Sequence, residues 1–338
     1  MTTQVPIIET RAVSKRFGER NAGPFNRMLQ ARGWSKPPAV TRALDMIDLQ
    51  VMPGEVVGLV GESGCGKSTL GRIACGLLQP SAGEVLIDGR ERSKLSQREL
   101  EAARLKVQMI FQNPYASLNP RLRIDQIVGE AAALNNIAGQ GGAGELDDYV
   151  CQQMLRAGLD PALRDRYPHQ FSGGQRQRVG IARALAVQPQ MLVCDEAVAA
   201  LDVSIQAQIL NLFMDLREQL GLTYLFISHD LGVVEHVSDR VVIMYLGRIV
   251  ESAPVDELFA QPNHPYTQAL LAEVPSLQAR NKQFTAIKGE IPSPLNPPSG
   301  CHFHPRCPHA MQRCREEAPL LKEIAPGHKS ACHLNERI

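Results

Sequence analysis

Along most of the chain, short runs of β-branched and aliphatic residues alternate with longer segments of helical periodicity, the order expected of a largely parallel sheet with helices on its faces. The runs Glu55–Val60, Met191–Asp195 and Thr223–Ser228 are apolar at consecutive positions, so both faces of each strand must be buried, as in the centre of such a sheet. Each is followed by a helical pattern, over 67–78, 204–220 and 230–237. Segments 7–17 and 44–51 instead alternate apolar with polar residues and predict an antiparallel sheet. Between them lies a polar insertion containing Gly and Pro, 19–39, which carries the single tryptophan, Trp34, and reads as a surface excursion. From about 120 to 165 the pattern is helical, broken by the glycine-rich stretch Gly139–Gly144, and predicts a small inserted helical subdomain. Beyond about residue 253 prolines accumulate, with Pro292, Pro294, Pro297 and Pro298 introducing a tail that reads as a separate unit. No repeat of solenoid length is visible.

Composition narrows the class. A chain of 338 residues suggests about two domains. With 44% hydrophobic and 21% charged residues it has the make-up of a globular protein rather than a disordered one. Thirty-six basic against 35 acidic residues leave a formal charge of +1, which disfavours a nucleic-acid partner. No apolar run approaches the roughly 20 residues that cross a bilayer, and the start lacks the pattern of a secretory signal, so a cytoplasmic protein is expected.

Gly61-Glu-Ser-Gly-Cys-Gly-Lys-Ser-Thr69 fits G-x-x-x-x-G-K-[ST] between a strand and a helix, the setting that this phosphate-binding loop requires. Gly61, Gly64 and Gly66 let the backbone N–H groups of the loop, including those of Ser63 and Cys65, turn toward phosphate oxygens. The helix that starts near Lys67 adds its positive dipole end. Lys67 should reach the β- and γ-phosphates, while Ser68, beside Thr69, should place its hydroxyl on Mg²⁺. The buried run 191–195 delivers Asp195 to a strand's carboxyl end as the second magnesium-site residue, with Glu196 next to it to polarise an attacking water.

Phe171-Ser-Gly-Gly-Gln175, followed by Arg176-Gln-Arg-Val-Gly-Ile-Ala-Arg183, resembles the signature motif of ATP-binding cassette (ABC) ATPases. The resemblance extends over about 5–255 and implies an α/β fold, an ABC-type P-loop ATPase. Its parts would be a RecA-like core, an antiparallel β subdomain and a helical subdomain inserted at about 115–170, all within 1–253. By the same resemblance, Ser172, Gly173, Gly174 and Gln175 face the γ-phosphate of ATP held by another subunit. Gln112 is the hinge glutamine that senses Mg²⁺ and water, Ala200-Leu201-Asp202 is the D-loop, and His229 is the switch histidine. Phe17 is the candidate for stacking on adenine. Ala197 and Ala199 stand where the family often has proline and serine, with modest effect expected.

Asn263–Leu271, Ser293–Cys307 and Ala331–Leu334 resemble the ATPases of dipeptide and oligopeptide importers. That branch implies two related ATPase subunits as a heterodimer, two membrane permeases and a periplasmic or lipid-anchored substrate-binding protein. The chain would then sit peripherally on the cytoplasmic face of the inner membrane. Cys301, Cys307, Cys314 and Cys332 in the 254–338 extension have the spacing C-x5-C-x6-C-x17-C, which matches neither common zinc ribbons nor ferredoxins. Four thiolates suit Zn²⁺ or a [4Fe–4S] cluster by donor softness, and the nearby His302, His304, His309, His328 and His333 keep mixed zinc coordination open. The family resemblance points to [4Fe–4S], in a structural role.

The expected mechanism is closure of two ATPase subunits over ATP and reopening after Glu196-dependent hydrolysis, passed to the permeases through Gln112 and the helical subdomain. Soluble ABC ATPases of DNA repair would need a long coiled coil between Lys67 and Ser172, where no sustained heptads occur. Those of translation usually carry two cassettes in one chain.

Overall fold

The computed structural model describes residues 4–18, 39–137, 143–273 and 289–337; Trp34, nearly all of the 19–39 insertion and most of the Gly139–Gly144 stretch lie outside them. The described strands form two sheets. In the four-stranded sheet, β1 (Ile8–Phe17) pairs antiparallel with β2 (Thr41–Val51) and with β4 (Ala82–Ile87), and β4 pairs with β5 (Arg90–Glu91). The period-2 pattern foretold the first two strands; β4 and β5 carry too little alternation to stand out.

The larger sheet runs in the order β11-β12-β10-β9-β3-β8-β7-β6. Its parallel part comprises β3 (Val56–Val60), β6 (Val107–Ile110), β7 (Met191–Asp195), β8 (Thr223–Ser228) and β9 (Arg240–Tyr245). Successive side chains of β7 and β8 enter opposite cores, which is why both strands are apolar throughout. Leu192, Cys194, Tyr224 and Phe226 pack into one core, and Met191, Val193, Leu225 and Ile227 into the other. The antiparallel part is β10 (Arg248–Pro254), which pairs with β9 and with β12 (His328–Ser330), and then β11 (Lys322–Ala325).

Helix α1 (Lys67–Ala74) follows β3 directly, and α2 (Gln97–Lys106) opens on a Ser96–Glu99 capping box before β6. Next come α3 (Pro114–Ser117), α4 (Ile124–Leu134), α5 (Ala143–Arg156) and α6 (Gly173–Leu185), the expected helical insertion and the signature helix. Ile124, Ile127 and Val128 of α4, Val150 and Met154 of α5, and Val179 and Ile181 of α6 share one core with β7 and β8, so the insertion is packed onto the sheet. Helices α7 (Val203–Leu220) and α8 (Leu231–Val237) follow β7 and β8.

The tail differs from the sequence reading. After α9 (Val255–Ala260) and α10 (Pro265–Ala272), the chain returns through α11 (Gln312–Glu316) to add β12 and β11 to the edge of the main sheet. A tail expected to stand apart thus continues the core's hydrogen-bond ladder, with Glu251 and Ser252 of β10 opposite Ser330 and Lys329 of β12. The strands are only four and three residues long and lie in a polar segment, so no periodicity announces them.

Candidate active site

In a parallel sheet the loops after adjacent strands emerge on one edge, and here four neighbouring strands, β6, β7, β8 and β3, carry the candidate residues there. Gln112 follows β6, Asp195 ends β7 with Glu196 next after it, His229 follows β8, and Gly61 follows β3. The register makes the alignment concrete: Ile110 lies opposite Cys194, Asp195 opposite Ile227, and Val60 opposite Ser228.

The Gly61–Thr69 loop depends on glycine where the chain crowds itself. A Cβ on Gly61 would sit 2.2 Å from the Met244 carbonyl oxygen, and one on Gly66 2.4 Å from that of Ala43, with Gly66 at φ 110°. Lys67 is buried, and its Nζ donates to the carbonyl oxygens of Gly61 at 2.6 Å and Glu62 at 3.1 Å. Ser68 Oγ donates to Asp195 Oδ1 at 2.7 Å. Asp195 is buried, and burial pushes its carboxyl above the usual range while the Ser68 hydrogen bond pulls the other way. A hydroxyl and a carboxylate are hard oxygen donors, the kind that Mg²⁺ takes. Cys65 is buried and its thiol is raised by that burial, while Ser63 and Gly64 are exposed at the loop's tip.

Glu196 has φ 48°, a left-handed conformation that strains a non-glycine residue by about 1–3 kcal/mol. Its N–H donates to the Ile227 carbonyl at 2.9 Å, and its carboxylate accepts from Gln112 Nε2 at 2.5 Å and lies 3.4 Å from His229 Nδ1. Three candidates from three loops therefore meet on one carboxylate. Ala197 is buried and Ala199 exposed beside it, and neither carries a group toward that cluster.

Ser172 is the exposed N-cap of α6: its Oγ accepts from Gln175 N at 3.3 Å, and Gln175 Oε1 accepts from Ser172 N at 2.9 Å. Gly174 passes close to Ile205, whose Cγ2 would be 2.5 Å from an added Cβ. Among the described residues, no hydrogen bond joins Ser172–Gln175 to Gly61–Thr69 of the same chain. Phe17, 42% exposed, ends β1 opposite Thr41, with Lys15 Nζ 5.3 Å from its ring centre.

Cys301, Cys307, Cys314 and Cys332 line one small enclosed cavity together with His304, His309 and His333. Cys301 N donates to the Cys314 carbonyl at 2.8 Å. Burial pushes the Cys301 thiol up to about 11 and raises Cys307 and Cys332 as well. His302 turns away, its Nδ1 on the Leu246 carbonyl, and His328 bridges Glu251 and Glu257. Among the described residues no three Cys, His, Asp or Glu side chains are grouped closely enough to hold a single metal ion.

Two features escaped sequence reasoning. Arg176 of the signature helix stacks on Tyr115, its guanidinium carbon 3.6 Å from the ring centre, which ties α6 to the segment that follows Gln112. Arg306, between two of the tail cysteines, grips Glu62 of the phosphate loop with both terminal nitrogens. The partners lie 61 and 244 residues apart, and no local pattern connects them.

The ABC transporter family model matches residues 44–199, and the model for the oligopeptide/dipeptide transporter C-terminal region matches 250–314. The chain is 47% identical over 335 residues to the oligopeptide transport ATP-binding protein AppF of Bacillus subtilis, covering 98% of each. Among solved structures it is similar to CbiO1 of Clostridium perfringens, part of the ABC transporter complex CbiONQ (TM-score 0.62, 26% identity, 76% of this chain and 92% of that one). It is also similar to the ATP-binding cassette MJ0796, solved as a dimer bound to ADP and Pi (TM-score 0.62, 28% identity, 73% and 98%). The chain belongs to the ATP-hydrolysing subunits of ABC transporters, in the branch that carries the oligopeptide/dipeptide transporter C-terminal region.

Proposed function

We propose that this protein is one of two different ATPase subunits that drive peptide uptake through a pair of membrane permeases, with a substrate-binding protein delivering the cargo. The observation that carries this reading is the convergence of the phosphate loop, Gln112, Asp195, Glu196 and His229 on one sheet edge, in a chain whose tail matches the oligopeptide/dipeptide transporter C-terminal region.

In this reading the backbone donors of Gly61–Thr69, Ser63 to Gly66 included, wrap the phosphates, and Lys67 exchanges two carbonyl partners for phosphate oxygens. Phe17 receives the adenine ring. Ser68 and Asp195, with Gln112, would hold Mg²⁺, which would supply neutralisation of the charge that develops on the phosphoryl oxygens. Glu196 orients and deprotonates the attacking water, held in place by Gln112 and His229. Ser172, Gly173, Gly174 and Gln175 present the amino end of α6 to nucleotide on the sister subunit. A groove of about 580 Å³ between core and helical insertion, lined by Leu77, Met109, Phe111 and Arg183 among others, receives a permease segment. Phe111 precedes Gln112, so a segment pressed there bears on the hinge. No described helix is long and apolar enough to cross a membrane; in this reading the chain attaches to the cytoplasmic face of the inner membrane through its permease contacts.

Cys301, Cys307, Cys314 and Cys332 would hold a [4Fe–4S] cluster; four thiols lining one small cavity supply the soft donors that it requires. Such a cluster would lock a tail with little apolar content. Anaerobic purification should give a brown protein with about four iron and four sulfide per chain; a colourless protein with one zinc would contradict the cluster.

The function is tested by reconstituting the chain with its sister subunit and permeases in liposomes. Peptide uptake should require Mg-ATP. Glu196→Gln should lower ATP hydrolysis by about 10²–10⁴-fold while leaving ATP binding within about twofold. Uptake that persists undiminished in this variant would contradict the reading.

A further inference from the structure

Glu62 is the second residue of the phosphate loop, and three separate elements fix it. Its N–H donates to the Tyr266 hydroxyl of α10 at 2.9 Å. Its carbonyl accepts from Lys67 Nζ at 3.1 Å. Its carboxylate takes both terminal nitrogens of Arg306, Nη1 to Oε2 at 2.7 Å and Nη2 to Oε1 at 3.0 Å, the parallel two-bond pairing that a guanidinium makes with a carboxylate.

Arg306 is itself held. Its side chain is 5% exposed, its Nη1 also donates to the Tyr245 hydroxyl at 3.3 Å, and Tyr245, Tyr266 and Phe303 form a buried aromatic cluster around it. The residue sits between Cys301 and Cys307, in the part of the tail that lines the cysteine cavity. Its two terminal nitrogens make three hydrogen bonds while its buried Nε finds no partner, so the Glu62 carboxylate is its one ionic anchor among these contacts and links the placement of the tail to the loop.

We propose that Arg306 is a positioning residue for nucleotide binding: through Glu62 it holds the phosphate loop in the shape that receives ATP, and so makes the affinity of the core for nucleotide depend on the C-terminal tail. Lys67 and the loop's N–H groups bind phosphates most tightly when the loop need not be ordered on binding, because ordering a flexible loop subtracts from the affinity. Glu62 lies within that loop, its carbonyl already shared with the phosphate-binding lysine. Releasing its carboxylate frees the segment next to Gly61, where the chain passes nearest to Met244. The inference does not depend on what the cysteines bind or on which cargo is carried.

The test is equilibrium binding of a fluorescent ATP analogue with Mg²⁺ to the purified full-length chain, together with steady-state hydrolysis by the assembled transporter. Arg306→Gln and Glu62→Gln should each weaken nucleotide binding about tenfold, raising KM with kcat changed less than about twofold. The double variant should be no more than about twofold weaker than the weaker single, since both remove one interaction. Arg306→Lys, which keeps the charge but not the fork, should recover part of the loss. Arg313→Gln removes a tail arginine that pairs with Glu317 and Glu336 and should leave affinity unchanged. Wild-type affinity in Glu62→Gln, losses that multiply to about a hundredfold in the double variant, or an equal loss in Arg313→Gln would each overturn the proposal. Should Arg306→Gln not fold, Glu62→Gln and Arg306→Lys carry the same expectations.

Discussion

His264 shows how a single buried side chain ties this protein to pH. It caps α10, its Nδ1 accepting from Tyr266 N at 3.1 Å, and burial pushes its pKa from 6.5 down to about 4. A depressed histidine means that the unfolded chain binds the extra proton between about pH 6.5 and 4. Stability contributed by the neutral ring is therefore complete above the unfolded value and lost as pH falls toward the folded one, with a slope of up to about 1.4 kcal/mol per pH unit. His264→Asn keeps a capping acceptor without the titration, so urea unfolding of this variant should lose less stability from pH 6.5 to 4.5 than the wild type. Equal slopes would contradict the assignment. At this scale the sequence was most informative where chemistry is contiguous. Gly61–Thr69 and Asp195–Glu196 were legible because a phosphate loop and a strand-end acidic pair each occupy consecutive positions. Arg306 was not, because its meaning lies in a partner 244 residues away.

Between elements, the contact that matters most to the proposed coupling is the stack of Arg176 on Tyr115. Tyr115 belongs to α3, three residues beyond Gln112, and Arg176 lies in the first turn of the signature helix, where its Nε also donates to the Pro168 carbonyl at 2.6 Å. Tyr115 is exposed at 65%, so the pairing should contribute about 0.5–1 kcal/mol. A double-mutant cycle of Tyr115→Ala and Arg176→Ala, read by urea unfolding, should return a coupling energy in that range; strict additivity would show that the two elements are not joined there. Central strands were readable as unbroken apolar runs because both of their surroundings are apolar, as the division of β7 and β8 between two cores makes plain, whereas helices such as α7 were readable from the spacing of the few positions that they bury. β4, β5, β11 and β12 were not, since pairing with a neighbour rather than their own pattern makes them strands.

For the whole molecule, the organising fact is that the eight-stranded sheet holds both the strands that lead to the candidate site and the strands of the C-terminal tail. Its parallel strands present the candidate residues for ATP hydrolysis, and its antiparallel edge carries the tail whose Arg306 returns to Glu62 in the Gly61–Thr69 loop. Tail and core are further joined by Arg248, which bonds Asp45 and the Gly300 carbonyl, and by His328 between Glu251 and Glu257. The family was legible from the order of motifs, while the tail's attachment had to be seen in three dimensions, because its ion pairs link segments without a shared pattern. In the proposed cycle ATP is gripped between this chain and a sister subunit, and the grip drives the permeases. It is tested most directly by determining the structure of the complete transporter carrying Glu196→Gln with Mg-ATP. The two ATPase subunits should be closed on each other, with the phosphates of one ATP touching Lys67 of this chain and those of the other touching Ser172. Saturating ATP bound by each subunit separately, with the pair still open, would contradict it.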